Sequence, residues 1–145
     1  EGLAKFAPDG HWLAYQSNES GKPEVYIAPF NGAAGTSAGG SGVQGGKWQV
    51  SQGGGQLATW SHDGKSLYFL APDNQLMQAQ INFKGPAVEV GVPRPVFQAI
   101  FANAGPGART YDVAPDGKRF YILGTKESAP VPITLVSNWT AAIKK

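Results

Sequence analysis

The 145-residue chain sets 12 lysines and arginines against 10 acidic residues, and its lack of cysteine excludes disulfides and thiolate metal sites. The basic residues are scattered, so the electrostatic footprint of a DNA or RNA binder is missing, and no apolar run approaches the roughly 20 residues needed to cross a bilayer. Glycine (20) and proline (11) are abundant, aromatics make up 11%, and strong helix formers are thin, which predicts an all-β protein of many short strands. The chain starts at Glu1 rather than Met, without a basic-then-apolar signal pattern, so a processed product or a piece of something larger is expected.

In chain order, runs rich in Tyr, Val, Ile, Phe and Trp, bounded by Gly, Pro and Asn, predict strands. The first unit has strands at 3–6, 12–16, 23–30 (PEVYIAPF) and 47–51 (KWQVS). Between its third and fourth strands, the Gly/Ala/Ser-rich segment 31–46 reads as a flexible connection. The second unit repeats the order at 56–60, 66–70, 75–83 and 94–99. The third offers 109–113, 119–123 and 131–139, and has no fourth strand.

Repetition organises these strands. FAPDGHWLAY (6–15), WSHDGKSLYF (60–69) and VAPDGKRFYI (113–122) share one pattern with a period a little over 50 residues, which is the range of stacked units such as propeller blades. Asp9, Asp63 and Asp116 can turn their carboxylates onto nearby backbone N–H groups, and Gly10, Gly64 and Gly117 accept the positive φ of a tight hairpin. An aspartate recurring once per unit is what a structural turn requires, not what a catalytic pair requires.

Several motifs compete for a functional reading. Gly40-Ser41-Gly42-Val43-Gln44-Gly45 is a literal G-x-G-x-x-G with Lys47 behind it. A phosphate loop needs a helix N-terminus or a strand flap to close around the phosphates, whereas here a strand follows, and Trp48 stands where a Walker motif requires Ser or Thr. The segment therefore reads as a linker. His11 and His62 flank turns in different units and read as solvated positions, so no metal site is expected. No G-x-S-x-G elbow is present. Asn18-Glu19-Ser20 and Asn138-Trp139-Thr140 fit the glycosylation pattern but read as loop or strand residues. Trp12, Trp48, Trp60 and Trp139, with Tyr15, Tyr26, Phe69, Tyr111 and Phe120, alternate with other large apolar residues and read as core between units rather than as a stacking platform for a sugar or base.

Taken together, FAPDGHWLAYQSNESGKPEVYIAPF, GGKWQVSQGGGQLATWSHDGKSLYFL, NQLMQAQINF, GVPRPVF and YDVAPDGKRFYIL with the ending PITLVSNWTAAIKK resemble a TolB-like, WD-repeat-like β-propeller. More narrowly, they are similar to the propeller at the C-terminal end of many bacterial membrane-anchored serine/threonine protein kinases. Ala7 and Ala114 replace the family's usual Ser, His62 replaces its Pro, and segment 31–46 is longer than the usual loop. The resemblance implies one partial propeller over 1–145, with blades at about 1–51, 52–99 and 100–145, on the extracytoplasmic or periplasmic side of a bacterial cell. It places a ligand face at the second-to-third-strand loops and the loops between blades, where Asn18, Glu19, Gln52, Asn103 and Arg109 fall. Arg109 is the foremost of these, able to hold an anion or, equally, to pair with Asp112.

Three blades do not close a ring, so two copies joined head to tail would give six. Three functions stay open. The first is a noncatalytic propeller module, without a cofactor, for ligand sensing or protein–protein interaction. The second is the regulatory part of a kinase whose catalytic H-R-D and D-F-G motifs lie elsewhere. The third is the gating propeller of a prolyl-peptidase-like hydrolase.

Overall fold

A computed structural model describes residues 2–30, 46–85, 87–98 and 111–123. These residues form eleven strands and no helix. Strands β1 (Gly2–Phe6), β2 (Trp12–Ser17), β3 (Glu24–Pro29) and β4 (Trp48–Gln49) make an antiparallel meander in sequence order. A second sheet holds β5 (Gln56–Trp60), β6 (Ser66–Leu70), β7 (Gln75–Lys84), β8 (Ala87–Val90) and β9 (Arg94–Gln98). The hairpin β10 (Tyr111–Val113) and β11 (Phe120–Ile122) follows.

The second sheet corrects the four-strand reading of its unit. The ten-residue β7 outruns its neighbours, and its two halves have different partners: β9 pairs along Gln75–Gln78, and β8 pairs with Ile81–Lys84 after a turn at Gly85. β8 was hidden because four residues make a weak period-2 signal, yet Val88 and Val90 alternate with Ala87 and Glu89 as a strand requires. β4 is two residues long rather than five, because Val50 and Ser51 both donate their N–H to Val25 O and so leave the ladder. The expected strand at 131–139, Arg109 and Thr110 of the 109–113 strand, and all of segment 31–46 except Gly46 lie outside the described residues.

The three Asp-Gly turns have the same hydrogen bonds. Gly10, Gly64 and Gly117 donate their N–H to the carbonyls of Ala7, Ser61 and Ala114 at 2.9, 3.0 and 2.8 Å. Asp9, Asp63 and Asp116 accept the N–H of His11, Lys65 and Lys118 on Oδ1 at 2.9, 3.1 and 3.0 Å. Each glycine has φ near +70°, and Ala7, Ser61 and Ala114 close the hairpins by donating to Trp12, Ser66 and Arg119 O at 2.8 Å. This is a type I turn ending in a left-handed residue: Pro8 and Pro115 fix φ at the second place of the first and third turns, where the second has His62, aspartate caps, and glycine takes the conformation that costs other residues about 1 kcal/mol. The repetition extends to Leu3 and Leu57, both left-handed at φ 46° and 55°, each lying at a bulge in the pairing of β1 with β2 and of β5 with β6.

Alternation assigns one face of each strand to the core. Trp12, Ala14, Val25 and Ile27 of the first sheet meet Ala58, Trp60, Leu67, Phe69, Ala79 and Ile81 of the second. Trp12 stacks on Phe83 with centroids 4.8 Å apart and meets Trp48 edge-on at 5.7 Å. Trp60 spans the interface by donating Nε1–H to Lys5 O at 3.1 Å. The opposite face of the second sheet presents Tyr68 and Leu76, which pack against Tyr111, Val113 and Phe120 of the last hairpin. There the Tyr111 hydroxyl donates to Leu57 O at 2.7 Å, and burial pushes its pKa well up. The second sheet is therefore covered on both faces. The aromatic residues expected in the core fall in these two clusters, except that Tyr15 and Tyr26 stack on each other at 5.8 Å outside both and Trp139 lies outside the described residues.

Candidate functional site

Where the first core cluster reaches one end of the second sheet, it opens into a cleft of about 480 Å³. Its floor is Phe69 and Met77, paired across β6 and β7. One wall is the turn at Ala71–Gln75, another the loop Gln52–Gly54, and the third Val92 and Pro93 ahead of β9.

The Ala71–Gln75 turn is a close relative of the Asp-Gly turns. Asn74 donates its N–H to Ala71 O at 3.1 Å, Asp73 Oδ1 accepts the Gln75 N–H at 3.2 Å, and Asn74 is left-handed at φ 63°. Asparagine is among the residues that visit this region most readily, so Ala-Pro-Asp-Asn does what Ala-Pro-Asp-Gly does elsewhere. Gln98 Nε2–H donates to Asp73 O at 3.0 Å and ties the turn to β9.

The facing loop is held by a buried carboxylate. Glu24 is 1% exposed, and its Oε2 accepts the Ser51 hydroxyl while its Oε1 accepts the N–H groups of Gly53 and Gly54 at 3.1 and 3.0 Å. Lys22 Nζ lies 3.6 Å from Oε1, and Ser51 Oγ also accepts the Val25 N–H at 2.8 Å. Successive N–H groups aimed at one oxygen form an anion nest, here filled by the protein's own side chain. Gly54 has φ +113°, and a Cβ there would lie 2.6 Å from Pro72 Cγ, so glycine is what lets the loop close against the turn.

The cleft thus combines apolar surface with three polar groups that no hydrogen bond among the described residues uses: the side-chain amides of Gln52 and Gln75 and the second carboxylate oxygen of Asp73. Among the described residues Asp73 is the one charged residue lining it.

Of the residues expected at a ligand face, Gln52 lines the cleft. Asn18 and Glu19 sit on the turn between β2 and β3, away from the lining. Asn18 O accepts the Gly21 N–H at 2.9 Å, and the Glu19 carboxylate pairs with Lys47, whose pKa it raises and whose ammonium lies 5.6 Å from the Tyr26 ring centroid. Asn103 and Arg109 lie outside the described residues. His11 and His62 are both exposed, and among the described residues no group of three His, Asp or Glu side chains is placed to hold a metal. Among the described residues no helix is long and apolar enough to cross a membrane. Residue patterns did not point to Asp73, Gln75 or Met77; the signal that finds the first two is Ala-Pro-Asp-Asn at 71–74, a variant of the repeated turn at the opposite end of a hairpin. No family model matches the chain, and no curated protein matches it.

Proposed function

We propose that the chain contributes neighbouring blades to a β-propeller that works as a noncatalytic binding module, and that two copies join head to tail to complete the ring. The observation that carries this reading is the equivalence of the two sheet-on-sheet contacts. In each, a side chain of one repeat donates across the interface to a carbonyl on the leading strand of the preceding repeat: Trp60 Nε1–H to Lys5 O, and Tyr111 Oη–H to Leu57 O. Leading strands that succeed one another in this way, 54 and 53 residues apart by their Asp-Gly turns, are how blades succeed one another around an axis. The cleft supplies the binding capacity, since an apolar hollow with a few convergent polar groups is the usual form of a ligand site.

Light scattering coupled to size exclusion tests the assembly. The expected mass is twice the 15.2 kDa of one chain and stays so on dilution. A monodisperse 15.2 kDa species with slowly exchanging amides in every described strand, β1 and β11 included, refutes it.

A further inference from the structure

We propose that the cleft between the Gln52–Gly54 loop and the Ala71–Gln75 turn accepts a lysine side chain from an extended segment of a protein partner. This rests on the reading of the chain as a binding module and names the chemistry of what it binds. Three observations converge on an alkylammonium group. The floor, Phe69 and Met77, and the lip, with Val92 84% exposed, provide apolar surface for a methylene stem. At the mouth, Asp73 uses one carboxylate oxygen on its own turn, and among the described residues no cation pairs with it. Gln52 and Gln75 line the same cleft and bring neutral amide acceptors to it, and an ammonium carries three donors.

Other ligand classes fit poorly. Among the described residues no lysine or arginine lines the cleft, so a phosphate or carboxylate would meet Asp73 without compensation. A purely apolar group would cover Asp73 and two amides without satisfying them. The Glu24 carboxylate behind the loop does not compete for the cation, because Ser51, Gly53, Gly54 and Lys22 already occupy it. A volume of about 480 Å³ admits the side chain together with the peptide backbone that carries it.

Met77 is the only methionine in the chain, so its methyl resonance reports on the cleft floor by itself. The full chain, 13C-labelled at the methionine methyl and 15N-labelled throughout, is titrated with acetyl-Ala-Lys-Ala-amide and with the norleucine and glutamate versions of the same peptide. The lysine peptide shifts the Met77 methyl saturably, the norleucine peptide binds several-fold more weakly, and the glutamate peptide leaves the resonance in place. Asp73→Asn keeps Oδ1 as the turn's acceptor and weakens the lysine peptide about fivefold, the scale of one exposed charge pair, without changing the norleucine peptide. Added salt gives an independent measure on the unmodified chain, weakening the lysine peptide alone.

A silent Met77 methyl with the lysine peptide, or equal shifts from all three peptides, overturns the proposal. Cadaverine binding as tightly as the lysine peptide overturns the peptide source. If Met77 stays silent while amides elsewhere shift, the cleft assignment fails and the binding-module reading stands. If no resonance moves with any probe, both fail.

Discussion

Replacing Glu24 by alanine is expected to destabilise the protein by about 3 kcal/mol, a value that follows from its partners. The substitution strands the Ser51 hydroxyl, on a residue 0% exposed, and the N–H of buried Gly54; Gly53 is exposed, and its N–H regains water. Each stranded donor costs about 1–3 kcal/mol, and the one methylene that is removed adds about 0.8 kcal/mol more. Against this, the cost of keeping a carboxylate out of water disappears, which returns a few kcal/mol. A net loss of about 3 kcal/mol lowers the melting temperature of a chain this size by roughly 6–12 °C. Glu24→Gln keeps an oxygen facing the glycine N–H groups and loses only the charge assistance and the Ser51 contact, so it falls between, at about 1–2 kcal/mol. Urea unfolding followed by tryptophan fluorescence reads both variants, with Ser51→Ala completing a double-mutant cycle whose coupling is about 1–2 kcal/mol. If the alanine variant lies within about 0.5 kcal/mol of the parent, or the cycle shows no coupling, Glu24 does not anchor the loop and the reasoning fails.

Gly54→Ala meets both a forbidden backbone region and Pro72, whereas Gly10→Ala, at φ +74° with nothing within 4 Å, meets only the backbone cost of about 1 kcal/mol; equal losses in unfolding free energy would contradict this ordering. Tyr111→Phe removes the hydroxyl that bonds Leu57 O and is expected to cost about 1–2 kcal/mol in the same assay, with faster amide exchange in β10. The Asp63 carboxyl is held below its ordinary 3.8, first by the Ser61 hydroxyl and then by the Lys65 N–H. Because the folded value is the lower one, its stabilisation is present above the unfolded value and is lost as pH falls through the folded value. Ser61→Ala should raise the carboxyl-carbon titration midpoint of Asp63 and shallow the acid limb of the stability curve, and an unmoved midpoint refutes the assignment.

The strands and Asp-Gly turns are legible because local chemistry decides them. Only a residue tolerant of positive φ serves at Gly10, Gly64 and Gly117, the alternation in Trp12–Ser17 allows one face inward, and the unbroken apolar run Leu67–Leu70 suits a strand buried on both faces. The cleft is not legible, because it depends on residues that meet only in three dimensions: Gln52 comes from the connection after β4, Asp73 from a turn within the second sheet, and Val92 from the return before β9. The role of Glu24 is hidden for the same reason. A lone glutamate at the head of a strand reads as solvated, and its burial depends on a glycine run 29 and 30 residues further along the chain. The branching of β7 escapes a repeat argument because it breaks the repeat.

The two left-handed leucines have a consequence for how the strands find their places. Leu3 and Leu57 sit where one residue is left over in the pairing of β1 with β2 and of β5 with β6, so each hairpin is keyed at that point. Sliding either strand by one residue would move the kink away from the leucine and turn Trp60 or Ala58 out to water. In a chain whose successive units look alike, a near-match between the wrong strands is the obvious folding error. A kink that tolerates only one alignment makes that error self-limiting.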